Sequence, residues 1–255
     1  MKFQAHRGVG TEFPENTMPA FEAAFAQGYE YIELDPAFTK DGKCVVLHDG
    51  TLNRTCRTAD GKPLQTEIPI SDITYEQALA YDAGIAKDLR FRGTKIPLLS
   101  EVLEAAERAA VTVKIDNKIR FFSQEQTAIL FDTVESSGAQ VGFTCADKAY
   151  IEKVLDRFPN AEIHYDGPVC EETLAELCAV LKENELYVWL PVKSPATSWV
   201  KVPTADKELC QTVKKYGKLG LWILENEEQL QTAEAFQADI IETPGQLKPV
   251  QRKKR

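Results

Sequence analysis

No stretch of this sequence approaches the ~20 consecutive apolar residues that a membrane-spanning helix requires, and Met1-Lys2-Phe3-Gln4-Ala5-His6 opens without an apolar run of signal-peptide length. The expectation is a cytoplasmic protein with no transmembrane segment. Cys44, Cys56, Cys145, Cys170, Cys178 and Cys210 show no CxxC pair and no zinc-like spacing, and a core of this size needs no disulfide framework. They are expected to be reduced and mostly structural. Positive charge is in deficit, with 30 Lys and Arg against 39 Asp and Glu and a formal net charge of -9. A surface of that sign repels phosphate-rich polymers, which argues against a nucleic-acid partner. An anionic substrate must then be met by local positive charge, and a bound metal ion would supply it. One local exception, Gln251-Arg252-Lys253-Lys254-Arg255, reads as a frayed, solvated tail. Internal repeats, low-complexity tracts and interdomain linkers are also missing, so residues 1–255 are expected to form a single domain.

What is present is an alternation of short apolar runs with amphipathic stretches, over 255 residues, the length of one TIM barrel. The runs predict eight strands: Phe3 to Arg7, Tyr31 to Pro36, Val111 to Asn117, Gln140 to Thr144, Glu162 to Tyr165, Leu186 to Pro191, Leu219 to Leu224 and Asp239 to Glu242. Helices are predicted over Thr17 to Gln27, Ser100 to Ala109, Ser123 to Glu135, Ala146 to Phe158, Glu171 to Glu183, Thr204 to Tyr216 and Glu227 to Phe236, with Ser100 as an N-cap. Eight strands with crossovers of this length predict an α/β fold, a single (β/α)8 TIM barrel rather than an open sheet. The turn cluster Thr39-Lys40-Asp41-Gly42-Lys43 is too short for a crossover, so it predicts a β-hairpin that returns Cys44 to His48 onto the carboxyl end of strand two. Residues 49–98 then form a small insertion over the barrel mouth, helical from Ser71 to Tyr81. The loop from Val192 to Pro203, with Trp199, Lys193 and Lys201, is expected to act as a lid.

Barrel active sites lie where strands end. There the sequence places His6-Arg7-Gly8, Glu33-Leu34-Asp35, His48-Asp49 and Asp116-Asn117-Lys118. Residues two apart on a strand share a face, so Glu33 and Asp35 both enter the mouth, roughly 7 Å apart at Cα. Packed with Asp116 and no cation, they would repel one another toward protonation. A divalent cation resolves that conflict, and an all-oxygen set points to Mg2+ or Ca2+ rather than zinc. Any one of these acids alone would read as a surface carboxylate; three converging on one rim read as a site. Of the three histidines, His6 and His48 reach this rim from different segments, as a general acid and a general base would. His164 is taken as structural or supporting. Arg7 and Lys118 suit the non-bridging oxygens of a phosphate, or pair with the same carboxylates.

The ordered set His6-Arg7-Gly8, Pro14-Glu15-Asn16-Thr17, Ile32-Glu33-Leu34-Asp35, Thr39-Lys40-Asp41-Gly42 and His48-Asp49 resembles the signature of the glycerophosphodiester phosphodiesterases. The similarity continues through Thr51-Leu52-Asn53-Arg54-Thr55 and Ile96-Pro97-Leu98-Leu99-Ser100-Glu101-Val102-Leu103, with weaker echoes at Trp222 and Ile240-Ile241-Glu242-Thr243-Pro244. The resemblance implies roles by position. His6 and His48 would be the acid/base pair, Glu33 and Asp35 metal ligands, Arg7 and Lys118 phosphate contacts, and Trp222 an apolar wall for glycerol or else a barrel-packing residue. Three departures stand out. Asp116 replaces the usual third glutamate ligand, shorter by about 1.5 Å, and an aspartate there is also similar to the sphingomyelinase D enzymes. Trp222-Ile223-Leu224-Glu225-Asn226 stands for Trp-Thr-Val-Asn, and Phe143-Thr144-Cys145 for Ser-Phe.

The resemblance further implies hydrolysis of a small-molecule glycerophosphodiester to glycerol 3-phosphate and an alcohol such as choline or ethanolamine. The substrate's own glycerol 2-hydroxyl would attack, giving a cyclic phosphate that water then opens. Intramolecular attack carries effective molarities of about 10^5 to 10^8 M, more than the 10^2 to 10^4-fold typical of one acid/base residue. A second reading keeps this chemistry on lysophospholipids, with Phe121 and Phe122 as an apolar lip or else buried in the next helix. A third is a non-catalytic phosphodiester-binding barrel, against which both histidines and all three acids speak.

Overall fold

A computed structural model of the chain describes residues 1–181, 185–193 and 202–249. Strand β1 (Lys2–Ala5) leads to helix α1 (Met18–Gln27) and strand β2 (Tyr31–Leu34). A hairpin of β3 (Pro36–Phe38) and β4 (Cys44–Val46) follows, then the short helix α2 (Tyr75–Ala78) and the longer α3 (Leu99–Ala109). The remainder alternates strictly: β5 (Thr112–Ile115), α4 (Gln124–Glu135), β6 (Val141–Cys145), α5 (Lys148–Arg157), β7 (Glu162–Tyr165), α6 (Glu171–Leu181), β8 (Leu186–Pro191), α7 (Lys207–Val213), β9 (Lys218–Trp222), α8 (Glu227–Ala235) and β10 (Ile240–Thr243).

The expected barrel is what forms. Strands β1, β2 and β5 to β10 close in the order β1-β10-β9-β8-β7-β6-β5-β2, all neighbours parallel. Branched and aromatic residues suit these strands because helices cover their outer faces. Ile32, Val113, Ile115, Ile163, Val188, Leu219, Leu221 and Ile241 are wholly excluded from solvent. Each contributes about 1.5–3 kcal/mol by leaving water.

The hairpin also forms, as a separate antiparallel pair with Pro36 opposite Val46 and Phe38 opposite Cys44. The Leu47 amide then donates to the Asp35 carbonyl at 2.9 Å, which pins the return of the chain to the end of β2. Beyond it, residues 49–98 pack a small core of their own from Leu52, Cys56, Ile70, Ala78, Ala83 and Ile96, joined by Val45 and Leu47 of the hairpin.

Several local expectations need correction. Ser100 is not the cap of α3 but lies inside its first turn; the helix begins at Leu99, and the Glu101 carboxylate reaches back to accept from the Leu98 amide at 2.8 Å. The helix expected over Ser71 to Tyr81 is only a 3-10 turn, Ile70–Asp72, and α2, because Thr74 takes the capping position and starts the helix afresh. Strand β5 stops at Ile115, and Asn117–Phe121 forms a 3-10 turn. Trp199 and Lys201 of the loop expected to act as a lid, and the basic tail 251–255, lie outside the described residues. Among the described residues, no helix is long and apolar enough to cross a membrane.

Candidate active site

Three strand ends build the floor of the mouth. The chain leaves β1 through Arg7 (φ 55) and Gly8 (φ 77), two consecutive left-handed residues. A Cβ at Gly8 would lie 2.7 Å from the Ala20 backbone, so only glycine permits this turn against α1. The turn aims the Arg7 amide at Glu33 Oε2, 3.0 Å away. Glu33 is the third residue of β2, Asp35 follows its last, and Asp116 follows the last of β5, the strand paired beside β2. The structure brings these three acids together, with one oxygen of each within 4.8 Å of the others.

Their electrostatics are those of a crowded anionic site. Burial drives the Glu33 carboxyl well above its ordinary range, with Asp35, Glu242 and Asp116 adding repulsion. Burial and Asp35 likewise raise Asp116, against the pull of Lys114 and Lys118. Asp35 is buried too, but Lys118, Arg7, His48 and the Asn16 amide outweigh burial and hold it below its usual value. Converging oxygen donors that resist ionisation together fit a hard divalent cation, which would offset the repulsion.

Arg7 and Lys118 also reach this floor, but both pair with Asp35: Arg7 Nε lies 3.2 Å from Oδ2, and Lys118 Nζ 3.1 Å from Oδ1. Lys118 donates to the His48 carbonyl as well, tying the hairpin's end to the strand-β5 side. The histidines stand on two sides. His6 Nε2 is 3.9 Å from Glu33 and 4.0 Å from Glu242, and burial keeps it below its usual pKa despite the pull of Glu242. His48 is more open, with Nδ1 2.6 Å from Asp49 Oδ1. Trp222 ends β9, half-buried against the cluster containing Trp189 and Ile240. His164 sits below the site, fully buried; its Nδ1 accepts from Trp189 Nε1 at 2.9 Å and its ring stacks on Tyr187.

Several residues at the site had no role assigned from the sequence, Glu15, Asn16 and Arg54 standing there only within the signature motifs. Asn16 donates to Asp35 Oδ2 at 2.8 Å. Arg54, from the insertion, grips Asp49 Oδ2 through Nε at 2.7 Å and Glu15 through both terminal nitrogens at 2.7 and 2.8 Å, and Glu15 in turn holds Arg7 at 3.0 Å. Lys114 Nζ lies 3.0 Å from Glu242 within the barrel and 4.0 Å from the Trp189 ring centre. Asp166, just past β7, accepts from the Asn117 amide at 2.9 Å, and burial with the nearby Asp116 raises its pKa to about 6. Period-two spacing offered a signal for Lys114, two residues before Asp116 on the same face.

Residues 6–163 match the Glycerophosphoryl diester phosphodiesterase family. A glycerophosphodiester phosphodiesterase of Bacillus altitudinis is 42% identical over 118 residues, 46% of this chain and 45% of that protein. A lysophospholipase D of Rattus norvegicus is 33% identical over 123 residues, 45% of this chain and 37% of its own length. Such matches span about half the length, or less, of the curated relatives. In fold, the chain superposes on an Oleispira antarctica phosphodiesterase in complex with the product sn-glycerol-3-phosphate, with a TM-score of 0.75 at 17% identity, over 96% of this chain and 93% of the other. With more than half of its residues matched to that family and its acids converging at the mouth of a closed barrel, the chain belongs to the glycerophosphoryl diester phosphodiesterase family.

Proposed function

We propose that this protein hydrolyses glycerophosphodiesters to glycerol 3-phosphate and an alcohol, with one divalent cation, Mg2+ or Ca2+, held by Glu33, Asp35 and Asp116. The observation that carries the reading is the convergence of these three acids within 4.8 Å, with His6 only 3.9 Å from Glu33. A bound cation would lower the pKa of the glycerol 2-hydroxyl and offset charge building on the phosphate. His6 and His48 share the proton transfers. His6, kept neutral by burial, is in the form that accepts a proton. The Nδ1 of His48 is occupied by Asp49, which leaves its Nε2 for the substrate. One imidazole removes the hydroxyl proton while the other protonates the departing alcohol, and the roles reverse when water opens the cyclic phosphate. Arg7 and Lys118 would contact the non-bridging phosphate oxygens, and Trp222 would wall the glycerol carbons. The same reading keeps residues 1–255 as one domain, with 49–98 inserted over the mouth, and places the protein in the cytoplasm.

The test is release of glycerol 3-phosphate from a panel of deacylated diesters, with and without chelator. Loss of activity in chelator, restored by Mg2+ or Ca2+, is expected. Undiminished turnover in chelator, or in the His6→Ala, His48→Ala double variant, contradicts the proposal. One observation favours a second reading on lysophospholipids: Phe121 is 73% exposed directly after the Asp116 and Lys118 segment, an apolar lip at the mouth. Phe122 beside it packs on Phe38 instead, ring centres 4.9 Å apart. A clear preference for acylated over deacylated substrates would select that second reading.

A further inference from the structure

Next to His6 a cleft of about 410 Å³ opens between the first βα loop and the insertion, lined by His6, Arg7, Thr11, Glu15, Lys87 and Pro244. Its position makes it part of the reacting centre, since one wall is the imidazole itself. Its far wall is Lys87, which donates to the Gly10 carbonyl at 2.7 Å and makes no ion pair among the described residues. The carboxylates around it are spent. Glu15 is shared by Arg7 and Arg54, and Glu12, just beyond, pairs with Lys248 at 2.7 Å. Among the described residues, no phenylalanine, tyrosine or tryptophan lines the cleft. Phe13 of that loop and Phe91 of the insertion pack on each other, ring centres 5.3 Å apart.

A quaternary ammonium is bound by aromatic faces or by carboxylates with charge to spare. Here it would meet neither, and it would face an ammonium and a guanidinium. A polyhydroxylated group, by contrast, finds the Lys87 ammonium and the Arg7 guanidinium as donors and the Thr11 hydroxyl beside them. The cleft is also large enough for a glycerol or cyclitol ring, at the lower end of ordinary ligand sites of about 300–1,000 Å³. Resting on the hydrolase reading above, we infer that this cleft takes the alcohol half of the diester. The alcohol it selects is a polyol, such as glycerol or inositol, in preference to choline.

The experiment measures kcat/KM of the metal-loaded full chain on glycerophosphoglycerol, glycerophosphoinositol and glycerophosphocholine, for the wild type, Lys87→Met and Lys87→Glu. Because each comparison is a ratio within one protein, partial loss of folded enzyme cancels. The wild type should prefer the polyol diesters by about tenfold, the scale of one hydrogen bond to a charged group. Lys87→Met should shrink that ratio severalfold, and Lys87→Glu should shift it toward choline. Equal or better use of glycerophosphocholine by the wild type overturns the inference. So does a polyol preference that both Lys87 variants retain, because the selectivity then lies elsewhere. Absence of turnover on all three diesters would remove the hydrolase reading itself and this inference with it, a result distinct from a redistribution among them.

Discussion

At the scale of single residues, the acids of the mouth differ in what surrounds them more than in what they are. Asp35 has two cations and an amide against it and stays ionised; Glu33 has the backbone amide of Arg7 and three acidic neighbours, and is pushed up. Asp166 shows the same physics two strands beyond β5, with an ordinary value of 3.8 raised to about 6 by burial and Asp116. A carboxyl raised in the folded state costs nothing below its unfolded pKa, and its cost is complete once the pH passes the folded value. Asp166→Asn, whose side chain still offers an oxygen to Asn117, is therefore expected to stabilise the metal-free protein by about 3 kcal/mol at pH 7, a benefit that vanishes near pH 4. Urea unfolding in chelator at the two pH values checks this, and a gain independent of pH would assign the effect to packing instead.

At the scale of elements, the hairpin and the insertion bring to the mouth what the barrel strands cannot. The hairpin returns His48 to the end of β2, and Arg54 links the Asp49 that holds His48 to the Glu15 that holds Arg7. Arg54→Met should lower kcat by about 10- to 100-fold through a misplaced imidazole, a loss of the size expected when a catalytic group loses its orientation. Cation affinity, measured by calorimetry, should change little, because Arg54 contacts none of the three acids. Within the barrel, Lys114 and Glu242 form a buried ion pair, and removal of Lys114 leaves the Glu242 charge with only the neutral Gln4 amide as a hydrogen-bond donor among the described residues. Lys114→Met should cost about 3–5 kcal/mol in chemical unfolding, while the Lys114→Met, Glu242→Met pair recovers much of it. A single variant as stable as the wild type would mean that Glu242 finds another partner or a proton.

Much of this was legible in the sequence, for reasons that also mark the limit. The strand runs and the hairpin followed from side-chain periodicity and a turn too short for a crossover, and Glu33 and Asp35 from period two. Ser100 misled because serine is the commoner cap, whereas here Glu101 reaches the Leu98 amide. Lys114 was passed over because a lysine in a strand reads as solvent-facing. Its partner Glu242 lies 128 residues away, a pairing that only barrel closure creates. Arg54 and Glu15, 39 residues apart on different loops, are likewise joined only by the fold.

At the scale of the whole molecule, a chain of net charge -9 gathers acids into its own mouth, and as the proposed hydrolase it would still have to receive a phosphate. Long-range attraction cannot deliver an anion to such a surface, so the account rests on local positive charge: Arg7, Lys118 and above all a cation among Glu33, Asp35 and Asp116. That claim is tested most directly by soaking crystals of the protein in Mn2+, a stand-in for Mg2+ with a measurable anomalous signal, and mapping the anomalous difference density. The account predicts one strong peak within coordination distance of all three carboxylates, lost in Glu33→Gln. A peak elsewhere, or none at a concentration that supports turnover, would contradict it.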